Sequence, residues 1–189
     1  MKLSTLAVVL GVVFALPNLF ALLKPTAFTT AARKFPRATP IGWFLTLAAT
    51  AWFLSNLNAE TIADFASYKK MMLIGFAALG ILTCIFVPDF LPVRGLAALL
   101  LLTAHYTLNR TRWAESDLRL ILVVWAYTWV IAGLWLTVSP WRLRDYLTWS
   151  TSSPSRLRAI SAGCLAFAIL VAILGLTAFS QPVQASPMP

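Results

Sequence analysis

Six apolar runs, separated by short polar loops, occupy most of this chain. They cover Leu3–Leu23, Ile41–Leu57, Met71–Val87, Gly95–Leu108, Leu118–Val138 and Ile160–Phe179. A helix needs about 20 apolar residues to cross a hydrocarbon core roughly 30 Å thick. Because lipid offers no hydrogen bonds, the backbone of such a run must satisfy its own polar groups. The pattern predicts an all-α, polytopic membrane protein with about six transmembrane helices.

Two shorter segments mix cations with apolar and aromatic side chains. Thr26–Phe35 lies between the first two runs, and Trp141–Trp149 lies between the last two. Each segment follows a proline that ends one span, and a second proline after it precedes the basic entry to the next span. This composition is typical of short helices in the headgroup region. The shared plan predicts a possible parallel repeat of the first and last hairpins, with chance similarity of two membrane hairpins as the alternative.

The loops are too short for a separate soluble domain. We therefore expect one integral membrane domain over residues 1–189, with a first hairpin (1–57), a middle hairpin (58–117), a last hairpin (118–179) and a flexible tail (180–189). The first run exceeds the roughly 7–15 apolar residues of a signal peptide, which predicts a retained helix. The middle runs are short, and the pattern leaves open whether they span the bilayer or re-enter.

The composition also indicates a membrane protein, and this changes how the net positive charge is interpreted. Hydrophobic residues make up 60% of the chain and charged residues only 11%, against about 25% in soluble domains. A net charge of +9 would suggest nucleic acid as the partner of a soluble protein. Here the cations flank helices, so we expect the partners to be the bilayer and its anionic headgroups, and no nucleic acid.

The distribution of lysine and arginine predicts the orientation. Nine of the 15 basic residues lie in the first, third and fifth loops. The positive-inside rule places these loops in the cytoplasm and both termini outside. Two clusters in these loops are predicted to bind anionic lipid headgroups: Arg33, Lys34, Arg37, Arg142, Arg144, Arg156 and Arg158.

Three side chains are candidates for binding a cofactor. His105 is the only histidine and lies late in the fourth run. It could ligate a pigment or haem whose second ligand comes from a partner subunit, or it could be a hydrogen-bonded structural residue. Trp125 and Trp129 lie four apart on one helix face, either as a stacking wall for a pigment, quinone or lipid chain or as interhelical packing. The sequence identifies no particular cofactor.

No catalytic or metal-binding pattern is present in the sequence. The six acidic residues fall in loops or at helix ends, and the two cysteines lie in different apolar runs. A relay of protons or ions requires ionisable groups facing the bundle interior. We therefore expect a protein that is not an enzyme and has no metal site.

The last run carries small residues at spacings of three and four. The stripe consists of Ser161, Cys164, Ala168, Ala172 and Gly175. Small side chains allow the backbones of two membrane helices to approach closely, and packing drives helix association in lipid. The stripe predicts a close helix contact, either within the chain or with another subunit.

The last hairpin resembles a known family of membrane proteins. The pattern Pro140…Pro154-x-x-Leu157-Arg158, with its flanking helices and Gly163, is similar to the small two-helix inner-membrane proteins of the YjeT type. That family has no established activity, so the resemblance implies a bacterial inner (cytoplasmic) membrane setting. It covers about a third of the chain.

These features together predict a non-catalytic subunit or scaffold of a larger inner-membrane complex, in contact with other membrane subunits. A small transporter or channel that acts as an oligomer is the alternative, and a cofactor-bearing membrane subunit is the third. Size in mild detergent, co-purifying proteins and a visible absorption spectrum distinguish the three.

Overall fold

A computed structural model describes residues 3–60, 67–113, 116, 118–177 and 179 of the chain. Within these residues the fold is all-α, without strands. Eight α-helices follow one another: α1 (Leu3–Leu23), α2 (Pro25–Lys34), α3 (Thr39–Ala59), α4 (Lys69–Phe86), α5 (Leu91–Thr111), α6 (Arg119–Val138), α7 (Trp141–Ser150) and α8 (Pro154–Leu176), with a short 3₁₀ turn over Phe35–Arg37.

Five of these helices, α1, α4, α5, α6 and α8, are each long and apolar enough to cross a membrane. A sixth span results if Pro25–Arg37 and Thr39–Ala59 are taken together, although the chain bends by 68° between them. The predicted all-α, multi-pass membrane architecture is confirmed. The two short middle runs extend to helices of 18 and 21 residues, and both have the length and composition of a span.

Two spans begin four or more residues earlier than the apolar pattern predicts. Helix α5 begins at Leu91 rather than Gly95, and α8 begins at Pro154 rather than Ile160. Proline fits the first turn of a helix because its missing donor would have no intrahelical partner there, and Arg can extend its charge to the interface from inside a span. As a result Arg94, Arg156 and Arg158 belong to helices rather than to loops.

The two amphipathic segments form α2 and α7, and each has ten residues. In both cases the next long helix carries a proline in its first two positions, at Pro40 in α3 and Pro154 in α8. The element order long helix, ten-residue helix, long helix therefore occurs twice. Duplication of an ancestral hairpin stays a prediction.

The chain divides into two compact units. The first contains the described residues of Met1–Thr30, His105–Thr128 and Trp149–Pro189. Its core is the packing of α1 along α8, where Leu6, Ala7, Ala168 and Val171 are buried.

The second unit contains the described residues of Ala31–Ala104 and Trp129–Thr148. Helix α4 packs on α3, and the first turn of α5 approaches α3 at Gly42, where an added Cβ would lie 2.9 Å from Leu91 Cβ. Farther along, Gly133 of α6 meets α5, with Leu101 Cγ 2.8 Å from where a Cβ would be. Close approach at glycines holds α3, α5 and the second half of α6 together.

Several sequence predictions fall outside the described residues. These are the flexible tail at 180–189 and three of the six acidic residues, Asp64, Glu115 and Asp117.

Candidate functional site

The small residues of α8 lie against α1 in the first unit. At Gly11 a Cβ would lie 2.8 Å from the Ala168 carbonyl oxygen and 2.9 Å from the Cβ of Ala172. At Gly175 it would lie 2.9 Å from the Ser4 carbonyl oxygen. All three distances are shorter than the contacts that real Cβ atoms make, so the two helices touch where a glycine leaves room for them.

The stripe does not bury its members equally. Ser161, Ala168 and Gly175 are buried, whereas Cys164 and Ala172 are partly accessible. Gly163, which lies outside the stripe, has nothing within 4 Å of the point that a Cβ would occupy. Ala168, Ala172 and Gly175 of the stripe thus pack against α1 of the same chain, and α1 contributes its own small residue, Gly11, to the contact.

Trp125 lies in the aromatic core of the first unit. Its ring meets Phe14 of α1 edge to face, with centroids 5.3 Å apart, and Phe167 of α8 in the same way at 5.2 Å. Only 7% of the tryptophan is exposed. Edge-to-face pairs of this kind stabilise helix contacts by about 0.5–1.5 kcal/mol each, and they join α6 to both α1 and α8.

Trp129 belongs to the second unit and is also buried, with 9% exposure. The two tryptophans therefore contribute to different compact units, although they are one helical turn apart. The ring partners of Trp125 are Phe14 and Phe167. A role of either tryptophan in binding a cofactor stays a prediction.

His105 lies on an exposed position of α5, six residues before the helix ends. Its Nε2 is 3.0 Å from the side-chain nitrogen of Asn109, which is one turn later and also exposed. In the tautomer in which Asn109 donates, Nδ1 of the imidazole carries the proton. One residue further, Arg110 lies over the ring of Tyr106 at 5.2 Å. Together these four side chains give the end of α5 a polar edge.

All seven cations predicted to bind lipid are exposed: Arg33, Lys34, Arg37, Arg142, Arg144, Arg156 and Arg158. They differ in their partners within the protein. Arg144 forms an ion pair with Asp145 at 3.0 Å. Arg156 lies 4.8 Å from the centre of the Trp149 ring and donates to the Trp149 carbonyl oxygen at 3.0 Å. Because these two charges are partly engaged, Arg142 and Arg158 are better placed to bind an external anion.

The second unit contains a cavity that the sequence analysis missed. Its volume is about 480 Å³, and it lies between α3, α4 and α5. Residues at helical spacing on α3, from Thr46 to Phe53, form one wall. Arg94 lies at one end, and its Nε is buried without a hydrogen-bond partner in the described part of the chain, as is Thr46 Oγ1.

The apolar pattern predicts a loop position for Arg94, and this prediction is wrong, because the early start of α5 places the residue in the first turn of a span. The signal that could have identified it is its position between Val93 and the apolar run from Gly95. Among the described residues it forms no ion pair with Asp89, which is exposed.

No group of three or more His, Cys, Asp or Glu side chains that could hold a metal ion occurs among the described residues. Comparison with known proteins finds no matching protein-family model, no matching curated protein and no matching solved structure. The resemblance of the last hairpin to the YjeT-type proteins stays a prediction.

Proposed function

We propose that this protein is a non-catalytic subunit or scaffold of a larger bacterial inner-membrane complex. The observation that carries the proposal is the polar edge of α5. His105 and Asn109 lie on an exposed face of a membrane-spanning helix and hydrogen-bond only to each other among the described residues. Polar side chains within spans usually face other helices, where they find hydrogen-bond partners.

The position of His105 within the span supports a contact with another helix. It lies three residues before the apolar run ends at Leu108, which corresponds to about 4.5 Å at 1.5 Å per residue. A histidine at that depth costs free energy when it faces lipid. A helix of another subunit that supplies a carbonyl or hydroxyl group to the imidazole removes this cost.

The basic clusters support the proposed orientation. With the first, third and fifth loops in the cytoplasm, the exposed cations of α2, α7 and the start of α8 lie at the anionic cytoplasmic surface. Each cation near such a surface contributes about 1 kcal/mol of attraction. The lipid contact would hold α2 and α7 in the headgroup region, where Trp141, Tyr146 and Trp149 also fit because of their polar-tipped rings.

Mild solubilisation of the tagged protein from its native membrane tests the proposal. We expect the native mass to exceed that of the chain and its detergent, with distinct membrane proteins in defined ratio. Replacing His105 and Asn109 together by leucine keeps the span apolar and should release these partners. Tyr127→Leu, which removes another exposed hydrogen-bonding side chain from a span, is the control and should retain them.

Two results would count against a subunit role. A particle that contains only copies of this chain would favour the oligomeric transporter or channel. Retention of the same partners by the double-leucine variant would show that the polar edge of α5 is not the contact. A visible absorption band of the purified protein would favour the cofactor-bearing alternative.

A further inference from the structure

The cavity of the second unit has a polar end and an apolar end. Helices α3 and α4 each contribute a wall of residues at helical spacing, and α5 contributes the third wall. Its volume of about 480 Å³ lies within the roughly 300–1,000 Å³ of small-molecule pockets in proteins. The distribution of side chains along the cavity indicates what fits inside it.

The polar end carries the positive charge of Arg94, which has no ion-pair partner among the described residues. Arg94 Nε and Thr46 Oγ1 are both buried and lack a hydrogen-bond partner among the described residues. They lie at the same level of the unit, because a Cβ added to Gly95 would be 2.9 Å from Thr46 Oγ1. None of the residues that line the cavity is acidic. Leaving such buried donors without an acceptor costs free energy, and a bound molecule that supplies an acceptor removes this cost.

The apolar end is formed by aromatic and aliphatic side chains. Phe53 of α3 and Phe76 of α4 meet edge to face with centroids 5.0 Å apart, and Leu101 and Leu102 of α5 complete the lining. From Thr46 to Phe53 the helix rises about 10 Å, at 1.5 Å per residue. The cavity is therefore an elongated apolar slot with an anion-binding group at one end.

We propose that this cavity binds one anionic phospholipid of the surrounding bilayer. The phosphate would accept hydrogen bonds from Arg94 and Thr46, and one acyl chain would lie along the slot towards Phe53, Phe76 and Leu101. Guanidinium groups match phosphate oxygens in geometry and charge, and basic pockets between membrane helices bind anionic headgroups. A zwitterionic lipid brings its own cation close to Arg94, so the anionic lipid is preferred. The proposal does not depend on the subunit role or on the exposed cations of α2 and α7.

Native mass spectrometry of the detergent-purified full chain tests this site. The protein is supplied with equal amounts of phosphatidylglycerol and phosphatidylcholine that have identical acyl chains. We expect one phosphatidylglycerol to be retained per chain in preference to phosphatidylcholine. Arg94→Gln should weaken this retention at least tenfold, which corresponds to loss of one charge-assisted hydrogen bond.

Two variants control for charge and folding. Arg110→Gln removes the same charge from the opposite end of α5 and should leave retention unchanged. Arg94→Lys keeps the charge but loses the fork-like geometry of the guanidinium, so it should keep most of the preference for phosphatidylglycerol. Circular dichroism and thermal unfolding of each variant show whether it is folded. If Arg94→Gln is not folded, the results for Arg94→Lys and for the two slot variants below decide whether the cavity binds the lipid.

A second pair of variants tests the acyl-chain slot. Ala98→Phe fills the cavity from α5 without changing the charge and should displace the lipid, whereas Ala166→Phe adds the same bulk at an exposed position of α8 and should not. Glycerol phosphate, which has the headgroup chemistry and no chain, should not compete.

Three results would overturn the proposal: equal retention by the wild type and Arg94→Gln, equal retention of the two lipids by the wild type, or complete displacement by glycerol phosphate.

Discussion

Gly11→Ala is the sharpest test of the packing between α1 and α8. The substitution adds a single methyl group in the middle of α1. In the structure that methyl would lie 2.8 Å from the Ala168 carbonyl oxygen and 2.9 Å from the Ala172 Cβ. Neither neighbour is the end of a flexible side chain, so the two helices must separate to admit the group.

Two effects of opposite sign set the magnitude. Overpacking of a closely packed contact costs about 1–3 kcal/mol. Alanine is favoured over glycine in a helix interior by roughly 0.8–1.0 kcal/mol. Gly11→Ala should therefore lower the free energy of unfolding by about 0–2 kcal/mol. Gly163→Ala, in the interior of α8, has nothing within 4 Å of the new methyl and should raise it by up to about 1 kcal/mol.

The difference between the two variants isolates the steric effect, because the helix-propensity gain is common to both. It should be about 1–3 kcal/mol, and each kcal/mol shifts the midpoint by about 2–4 °C in a chain of this size. Thermal unfolding in one detergent, followed by helicity and by the monodisperse fraction, measures the difference. Equal midpoints for Gly11→Ala and Gly163→Ala, or a lower one for Gly163→Ala, would refute the close α1–α8 contact.

Three further predictions address packing, lipid and orientation. Ala168→Leu, at a fully buried position, should lower thermal stability by about 1–3 kcal/mol, and Ala166→Leu, at an exposed one, should not; equal losses would remove the special role of the stripe. Neutralising Arg142 and Arg158 together should weaken binding of anionic lipid by the detergent-solubilised chain by about 2 kcal/mol, or roughly 20–30-fold, in a lipid titration at low salt, and unchanged binding would contradict the lipid role of these clusters. Cysteines introduced near Arg33 and Arg144 should react with impermeant reagents only from the cytoplasmic side and a cysteine at Pro189 only from the outside, so labelling of the Arg144 site from outside would reverse the orientation.

The number and nature of the helices follow from the sequence because they depend on local properties. In lipid, the α-helix is the conformation in which an apolar run of about 20 residues satisfies its own backbone hydrogen bonds. Composition and length therefore suffice to predict a membrane-spanning helix. The same holds for α2 and α7, whose cations and aromatic residues within ten positions indicate an interfacial helix. The small-residue stripe of α8 is also evident from the sequence, since side-chain size is a property of each residue alone.

Local pattern does not determine where the charged ends of the spans lie. Arg94, Arg156 and Arg158 interrupt the apolar pattern, and apolarity alone therefore starts each run after them. The helices nevertheless continue through these residues, because proline is tolerated in a first turn and a long cationic side chain can reach the interface from within a span. Because the apolar pattern places Arg94 in a loop, the sequence does not predict the polar end of the cavity.

Which helix faces pack against each other is determined by the tertiary structure alone. Nothing in the spacing of the α8 stripe indicates that Gly11 of α1 is its counterpart, and nothing in the four-residue spacing of Trp125 and Trp129 assigns them to separate compact units. The cavity likewise requires Thr46 and Arg94, 48 positions apart in the chain, to lie at one level of the second unit. Such contacts depend on which helix faces meet, and in lipid all apolar faces are nearly equivalent until shape and hydrogen bonding discriminate between them.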